Sequence, residues 1–148
     1  MSIFFSRQCE YALQAVMYIA LKPGDNMTSI RELAENLNIP FHFLAKTLQE
    51  LTHHGLLKSF KGPTGGFALA TAPEKITPYD IVNAIDGSAF KMNCLLGFPS
   101  CSDDHHCAMH DQWGELRQKI HSLLISKNIV EMAREMKKPE YERSGGRT

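Results

Sequence analysis

One stretch of the chain, LLKSFKGPTGGFALA from Leu56 to Ala70, restricts the possible folds more than any other. Two short apolar runs, Leu57–Phe60 and Phe67–Leu69, flank a turn of glycine, proline and lysine residues. Runs of this length on both sides of such a turn predict a β-hairpin. Because the other periodic segments are helical, the hairpin belongs to a mainly α fold rather than to a larger sheet.

Three helices are predicted before the hairpin. The first covers about Phe5–Leu21, and the third follows Pro40 and stops at Gly55. Between them, Ser29 and Glu32 have the S-x-x-E spacing of a capping box, in which each side chain satisfies the other's backbone N–H. The apolar faces are Leu13, Val16, Met17, Ala20 and Leu21 in the first helix, Ile30, Leu33, Ala34 and Leu37 in the second, and Leu44, Leu48 and Leu51 in the third.

A further short helix is predicted after the hairpin, with Thr77 as its cap, Pro78 in its first turn and Gly87 at its end. Three helices, a hairpin and a short helix are the order of a winged helix-turn-helix domain. Such a domain reads DNA with the start of its third helix and contacts the phosphate backbone with its wing. The residues predicted to contact DNA are Ser29, Phe41, His42, Ala45, Lys46, Lys61, Gly65 and Gly66.

The charge balance leaves an alternative open. Sixteen Lys and Arg residues match sixteen Asp and Glu residues, so no global positive field indicates a nucleic-acid partner. The alternative is a winged helix that packs only against protein. An enzyme is not expected, because the sequence has no paired carboxylates, nucleophile elbow or phosphate-binding loop.

The 148 residues are enough for one domain with an appended oligomerisation segment. No run reaches the ~18 apolar residues of a membrane helix, and no secretory signal is recognisable, so a cytoplasmic protein without membrane association is expected. The predicted organisation is a winged domain at 1–87, a cysteine loop at 88–108, dimerisation helices at 109–136 and a frayed tail at 137–148.

The segment CLLGFPSCSDDHHCAMH holds four candidate metal ligands: Cys94, Cys101, Cys107 and His110. In a reducing compartment, clustered cysteines more often bind metal than form structural disulfides. Tetrahedral zinc and an iron–sulfur cluster both accept these residue types, so spacing alone leaves both open. A disulfide switch is the third alternative, although an odd number of loop thiols disfavours it. Cys9, on an apolar helix, is expected to be a small buried hydrophobe.

The helical pattern after the loop has a different period. Its apolar residues are Met109, Trp113, Leu116, Ile120 and Leu123. Spacings of four, three, four and three give the 3.5-residue period of a coiled-coil seam, which predicts a partner helix. The alternative is a single helix that lies on its own domain, because two heptads are short for a coiled coil.

Longer motifs carry a resemblance to a known family. The stretches IPFHFLAKTLQELTHHGLLKSFKGPTGGFALA, ITPYDIVNAIDG and CAMHDQWGEL, with the three spaced cysteines, resemble the small bacterial winged-helix regulators that include IscR, NsrR and CymR. The segment Lys61–Gly66 is similar to the RG-x-x-GG wing of that family. The resemblance implies a homodimer that binds a roughly palindromic operator in double-stranded DNA, with the helix at 109–126 crossing its partner.

The resemblance also implies a ligand set. In IscR-like relatives three cysteines and a histidine bind a 2Fe-2S cluster, and the matching residues are Cys94, Cys101, Cys107 and His110. Six residues instead of the usual five separate the first two cysteines. NsrR-like sensors use an acidic residue of the first helix, which Glu10 matches, so a 4Fe-4S cluster with Glu10 as fourth ligand is the second possibility.

The function that the resemblance implies is transcriptional regulation that responds to redox state, iron–sulfur status or nitric oxide. The resemblance to CymR permits an alternative from a different class, a zinc- or thiol-stabilised winged-helix module that regulates an enzyme partner. Phosphate contacts weaken as salt rises, so salt-dependent binding to promoter DNA distinguishes the two.

Overall fold

The computed structural model describes residues 4–22, 27–87, 94–102 and 104–136. Parts of the predicted cysteine loop and the whole predicted tail at 137–148 therefore lie outside the described residues. The helices are α1 (Arg7–Leu21), α2 (Ile30–Leu37), α3 (Phe41–His53), α4 (Pro78–Ile85), α5 (His110–Ile125) and α6 (Ile129–Glu135). The strands are β1 (Leu57–Phe60) and β2 (Gly66–Leu69), and a single 3-10 turn at Pro73–Lys75 precedes α4.

The wing is an antiparallel hairpin, as the sequence predicted. Leu57 pairs with Leu69, and Phe60 pairs with Gly66 at the end next to the turn. Together with the three helices before it, the hairpin confirms a mainly α, winged helix-turn-helix fold.

The core forms around α1, which packs against α3, α4 and α6. The predicted stripe of α3 is confirmed, because Leu44, Leu48 and Leu51 have no solvent-exposed surface. Each such leucine contributes about 1.5–3 kcal/mol relative to an exposed position. Among the described residues, the remaining fully buried large apolar side chains are Leu33, Leu57, Ile76, Ile81, Ile129, Val16 and Val82.

The wing is joined to the helix-turn-helix through Thr28. Its backbone exchanges two hydrogen bonds with Phe67, at 2.9 Å from the N–H of Thr28 and 2.8 Å from that of Phe67. Two close backbone approaches, one to Thr28 and one across the wing turn, explain two glycines. A Cβ on Gly66 would lie 2.5 Å from the carbonyl oxygen of Thr28, and one on Gly65 would lie 2.1 Å from that of Phe60.

The predicted capping box at the start of α2 is only half correct. Ser29 caps the helix, and its hydroxyl accepts from the N–H of Glu32 at 3.1 Å. The Glu32 carboxylate turns towards α1, where it accepts from Tyr18 Oη at 2.8 Å and from Lys22 Nζ at 2.9 and 3.1 Å. These partners from α1 replace the reciprocal bond to Ser29 and fix the position of α2.

A second set of contacts joins the start of α1 to the end of α4. Ser6 caps α1 by accepting from the N–H of Cys9 at 3.0 Å. Its own N–H and hydroxyl donate to the two carboxylate oxygens of Asp86, at 3.0 and 2.5 Å. At the other end of α4, the Asp80 carboxylate accepts from the N–H of Thr77 at 2.9 Å. The predicted start of this helix is confirmed.

The chain returns to the winged domain after α5. Ile129, the first residue of α6, is fully buried, and its N–H donates to the carbonyl oxygen of Ile76 at 2.8 Å. Ala133 also lies in the core. The core of the winged domain therefore includes residues beyond the predicted boundary at 87, and α6 packs on α1 within the single chain.

The predicted seam of α5 divides between two environments. Ile120 packs beside a small cluster formed by Cys9, Val82 and the buried Leu124, so this side of α5 lies on its own domain. Leu116 and Leu123 are exposed, and Leu123 keeps 68% of its surface open. The predicted seam is therefore exposed at Leu116 and Leu123 and partly covered by the winged domain at Ile120, and the partner helix stays a prediction. Within the described ranges, no helix is long and apolar enough to cross a membrane.

Candidate metal centre and nucleic-acid interface

Three cysteines and one histidine come together where the loop meets α5. The Sγ atoms of Cys94 and Cys107 are 3.5 Å apart, and the Sγ of Cys101 lies 3.3 Å from Nδ1 of His110. All three sulfur atoms lie within 4.8 Å of one another. The structure thus brings together the four residues that the sequence predicted as ligands.

Tight turns bring these side chains together. The N–H of Gly97 donates to the carbonyl oxygen of Cys94 at 3.0 Å, and Gly97 has a φ of 83°, which glycine adopts without strain. Ser102 and His105 exchange two backbone hydrogen bonds between the second and third cysteines. Each turn reverses the chain, so thiols that are distant in sequence meet in one place.

The thiols differ in acidity. Desolvation opposes ionisation of Cys94, but hydrogen bonds from the backbone N–H groups of Phe98 and Leu96 outweigh it and, with the neighbouring thiols, lower the pKa of Cys94 from 9.0 to about 7. The N–H of Cys107 favours ionised Cys101, but desolvation and the neighbouring thiols raise the pKa of Cys101 above 9.0. Adjacent thiolates repel one another, and a bound cation favours their ionised form.

His110 also belongs to a second group of polar side chains. Its ring stacks on that of His106, with centroids 4.1 Å apart and planes 9° from parallel. Nδ1 of His106 lies 3.8 Å from a carboxylate oxygen of Asp111, although Asp111 is strongly exposed. The sequence did not predict this group, which holds the imidazole of His110 between the thiols and His106.

Trp113 and Arg117 complete the surroundings of the cysteines. Both line the small cavity that is also bounded by Leu95 and the four predicted ligands. The guanidinium carbon of Arg117 lies 6.0 Å from the centre of the Trp113 ring. The Nε of Arg117 is buried, and among the described residues it has no hydrogen-bond partner.

Two side chains of α1, the carboxylate of Glu10 and the thiol of Cys9, lie away from the three loop cysteines. Glu10, the alternative fourth ligand, sits half-buried in the first turn of α1 and is not among the described groups that converge on the cysteines within one chain. Cys9 is fully buried, as predicted. Burial, with the charges of Asp86 and Glu10, raises the pKa of Cys9 to about 12, so it remains a neutral thiol.

The start of α3 presents its polar and aromatic side chains to solvent. Phe41, His42 and Lys46 are exposed, and Ala45 is half-buried beside them. Phe43 is 60% exposed on the same helix and was absent from the predicted contacts. Its position in the first turn of α3, next to the predicted contacts Phe41 and His42, was the signal available in the sequence.

The other predicted DNA contacts have clear local roles. Lys61 is exposed directly after β1, whereas Gly65 and Gly66 are half-buried at the close backbone approaches described above. Ser29 is the N-cap of α2. The two wing glycines are therefore required by the fold, whether or not they also lie against phosphate groups.

A two-stranded wing joined to a helix pair, and a cysteine loop that leads directly into a long helix, define a winged helix-turn-helix regulator. The chain belongs to the Rrf2 family, described as iron-dependent transcriptional regulators, and the match spans residues 5–135.

Relatives and a solved structure agree with this family. A putative HTH-type transcriptional regulator of Aquifex aeolicus is 39% identical over 133 residues, which are 88% of this chain and 91% of the relative. IscR of Yersinia pseudotuberculosis is 27% identical over 122 residues, covering 82% of this chain and 74% of the relative. The structure of CymR, the global cysteine regulator of Bacillus subtilis, superposes with a TM-score of 0.75 at 25% identity, covering 92% of this chain and all of that one. These relatives are named as regulators, in agreement with the prediction that the chain is not an enzyme.

Proposed function

We propose that the protein is an iron–sulfur-dependent transcriptional regulator that binds operator DNA as a homodimer in the cytoplasm. The cluster's redox state, or its loss to iron limitation or nitric oxide, is the signal. The observation that carries the proposal is the convergence of Cys94, Cys101, Cys107 and His110 in a loop between the winged domain and α5.

The donor set fits a cluster of the 2Fe-2S type. Thiolate sulfur and imidazole nitrogen are its ordinary ligands, and four donors satisfy its two irons. Nδ1 of His110 already points at the thiol of Cys101, and its stacking on His106 favours a fixed orientation of the ring. A bound cluster supplies a reversible one-electron change. The second possibility is a 4Fe-4S cluster whose fourth ligand is Glu10 of a second subunit.

The homodimer is supported by the exposed side of α5. Leu116 and Leu123, seven residues apart on one face of this helix, lie open to solvent, and Leu124 is the only buried residue of α5. An exposed apolar row on a long helix is stabilised when a second copy covers it. Two-fold symmetry would then place two α3 helices about one turn of DNA apart, ~34 Å.

The site is placed to couple ligand binding to DNA affinity. His110 is at once a candidate ligand and the first residue of α5, so the arrangement of the loop determines where α5 begins. Because α5 is the proposed dimer helix, a change in the loop alters the separation of the two α3 helices.

The test is an absorption and paramagnetic-resonance spectrum of anaerobically purified protein with its iron and sulfide content, followed by a mobility-shift assay. A library of random duplexes supplies the operator. We expect visible bands, near-stoichiometric iron and sulfide, and different affinities of the cluster-bound and cluster-free protein for the selected duplex. Colourless, iron-free protein with titratable thiols, or equal affinity of the two forms, would contradict the proposal.

One contact favours a second candidate, the zinc- or thiol-stabilised protein-interaction module. The thiols of Cys94 and Cys107 lie close enough to form a disulfide after a small movement. In that case the purified protein contains zinc or a disulfide instead of iron, and it shows no salt-dependent binding to promoter DNA.

A further inference from the structure

Arg117 lies on the same face of α5 as the candidate ligand His110, two helical turns further along. It lines the cavity bounded by Cys94, Cys101 and Cys107. Nothing in the sequence distinguishes Arg117, because an arginine between Leu116 and Gln118 is typical of an ordinary solvated helix face.

The guanidinium is not free in solvent. Its Nε is buried and has no hydrogen-bond partner among the described residues. Buried N–H donors are nearly always partnered, since an unsatisfied one costs about 1–3 kcal/mol. Because Arg117 lines the cavity of the three thiols, an acceptor bound in that cavity would give this donor a partner.

Trp113 helps to hold this side chain in place. The guanidinium carbon lies 6.0 Å from the centre of the indole ring, a distance at which a cation is attracted to the ring face. Trp113 lines the same cavity, so the arginine is held beside the cysteines.

The charge of Arg117 complements the group that we propose for this cavity. Three thiolates bring more negative charge than an iron–sulfide core neutralises, and reduction adds one electron more. Hydrogen bonds to the sulfur atoms and nearby positive charge favour the reduced form.

On the basis of the proposed function, we propose that Arg117 is a positioning residue that donates its Nε–H to a sulfur of the bound cluster and raises the reduction potential with its charge. It is not a ligand. Its role is to make the cluster easier to reduce, and so to set the redox condition at which the regulator responds.

The experiment is a dye-mediated redox titration of the reconstituted, full-length protein, followed by paramagnetic resonance. Arg117→Gln removes the charge, and Lys119→Gln removes a charge from an exposed position of the same helix as the matched control. We expect Arg117→Gln to shift the reduction equilibrium about tenfold towards the oxidised form, which is ~59 mV for one electron, and Lys119→Gln to leave it unchanged.

Arg117→Lys separates charge from hydrogen bonding, because it keeps the charge but lacks the Nε–H. Its potential should lie between those of the wild type and Arg117→Gln. If Arg117→Gln does not retain the cluster, the test is made on Arg117→Lys. A wild-type potential and a wild-type resonance spectrum of Arg117→Lys then overturn the inference. An unshifted potential in cluster-bearing Arg117→Gln overturns it as well, with the proposed function intact. A wild-type protein that takes up no cluster overturns both.

Discussion

Nδ1 of His110 lies 3.3 Å from the sulfur of Cys101, although one residue is in the loop and the other begins α5. This contact distinguishes the two possible fourth ligands. We expect Cys101→Ala to abolish the visible absorption bands and His110→Ala to change the band positions and the paramagnetic-resonance spectrum. Glu10→Gln should leave both spectra as in the wild type. The reverse pattern for His110 and Glu10 would favour the 4Fe-4S alternative.

The backbone approach at the wing predicts a large loss of stability for one glycine. Gly66→Ala places a Cβ 2.5 Å from the carbonyl oxygen of Thr28, so the wing must move away from the segment before α2. We expect a loss of about 3 kcal/mol in the free energy of unfolding, measured by urea denaturation. Gly62→Ala is the control, because its φ of 106° strains an alanine but its Cβ meets no atom within 4 Å. It should cost about 1 kcal/mol. Equal losses would show that the approach of Thr28 is not the cause.

Glu32 predicts a pH dependence of stability. Desolvation opposes its ionised form, but hydrogen bonds from Lys22 and Tyr18 and the charge of Lys22 outweigh it, so the pKa of Glu32 in the folded chain is below 4.5. Because the folded pKa is lowered, ionised Glu32 stabilises the folded chain. This stabilisation is complete above about pH 4.5 and is lost as the pH falls through the folded pKa. Glu32→Gln should flatten the profile of the free energy of unfolding against pH in this range.

The control for that prediction is Glu35→Gln, which removes a carboxylate from the exposed side of the same helix without touching Tyr18 or Lys22. Stability is measured by denaturant titration at several pH values between about 3 and 6. A Glu32→Gln profile as steep as that of Glu35→Gln would contradict the assignment.

The exposed Lys61 predicts a salt effect on DNA binding. If Lys61 neutralises a phosphate, Lys61→Met should weaken binding to all sequences alike and reduce the slope of log affinity against log salt by about 1 for each subunit. Lys119→Met, a charge loss on α5, serves as the control. Binding is measured by fluorescence anisotropy with the selected duplex and a scrambled one. An unchanged slope would exclude a phosphate contact.

The exposed row of α5 predicts the oligomeric state. Leu123 is the most exposed residue of that row, so Leu123→Glu should place a charge in the dimer interface. Two copies of a lost leucine contact weaken the dimer by roughly 100-fold or more. Gln118→Glu adds the same charge at another exposed position of α5. Sedimentation equilibrium should show a dimer for the wild type and Gln118→Glu; a dimeric Leu123→Glu variant would contradict this interface.

The fold followed from short-range signals. Glycine and proline fix the ends of the helices and the wing turn almost independently of the rest of the chain, and β1 and α4 therefore begin where the sequence predicted. Glu32 shows the limit of such signals. Its spacing from Ser29 favours a local capping bond. The fold brings Lys22 and Tyr18 close to Glu32, and both donate hydrogen bonds to its carboxylate instead.

The candidate site was predictable only in part. Thiols and imidazole have few other uses at such spacing, so the ligand residues were found from the sequence. Arg117 was not, because nothing in its neighbours shows that its Nε is buried beside the loop. What covers the predicted seam of α5 could not be decided from the sequence for a related reason. Periodicity reports that residues share a face, but it does not report whether the winged domain or a second copy covers them.

The way in which α5 is attached restricts how it can move. Its far end is anchored, since Leu124 is buried and Ile129 enters the core soon after. Before the loop, the carboxylate of Asp86 is held by Ser6. The cysteine loop therefore meets α5 at the end opposite to this anchor, so the contacts of Leu124 and Ile129 limit any displacement of α5 that begins at the thiols.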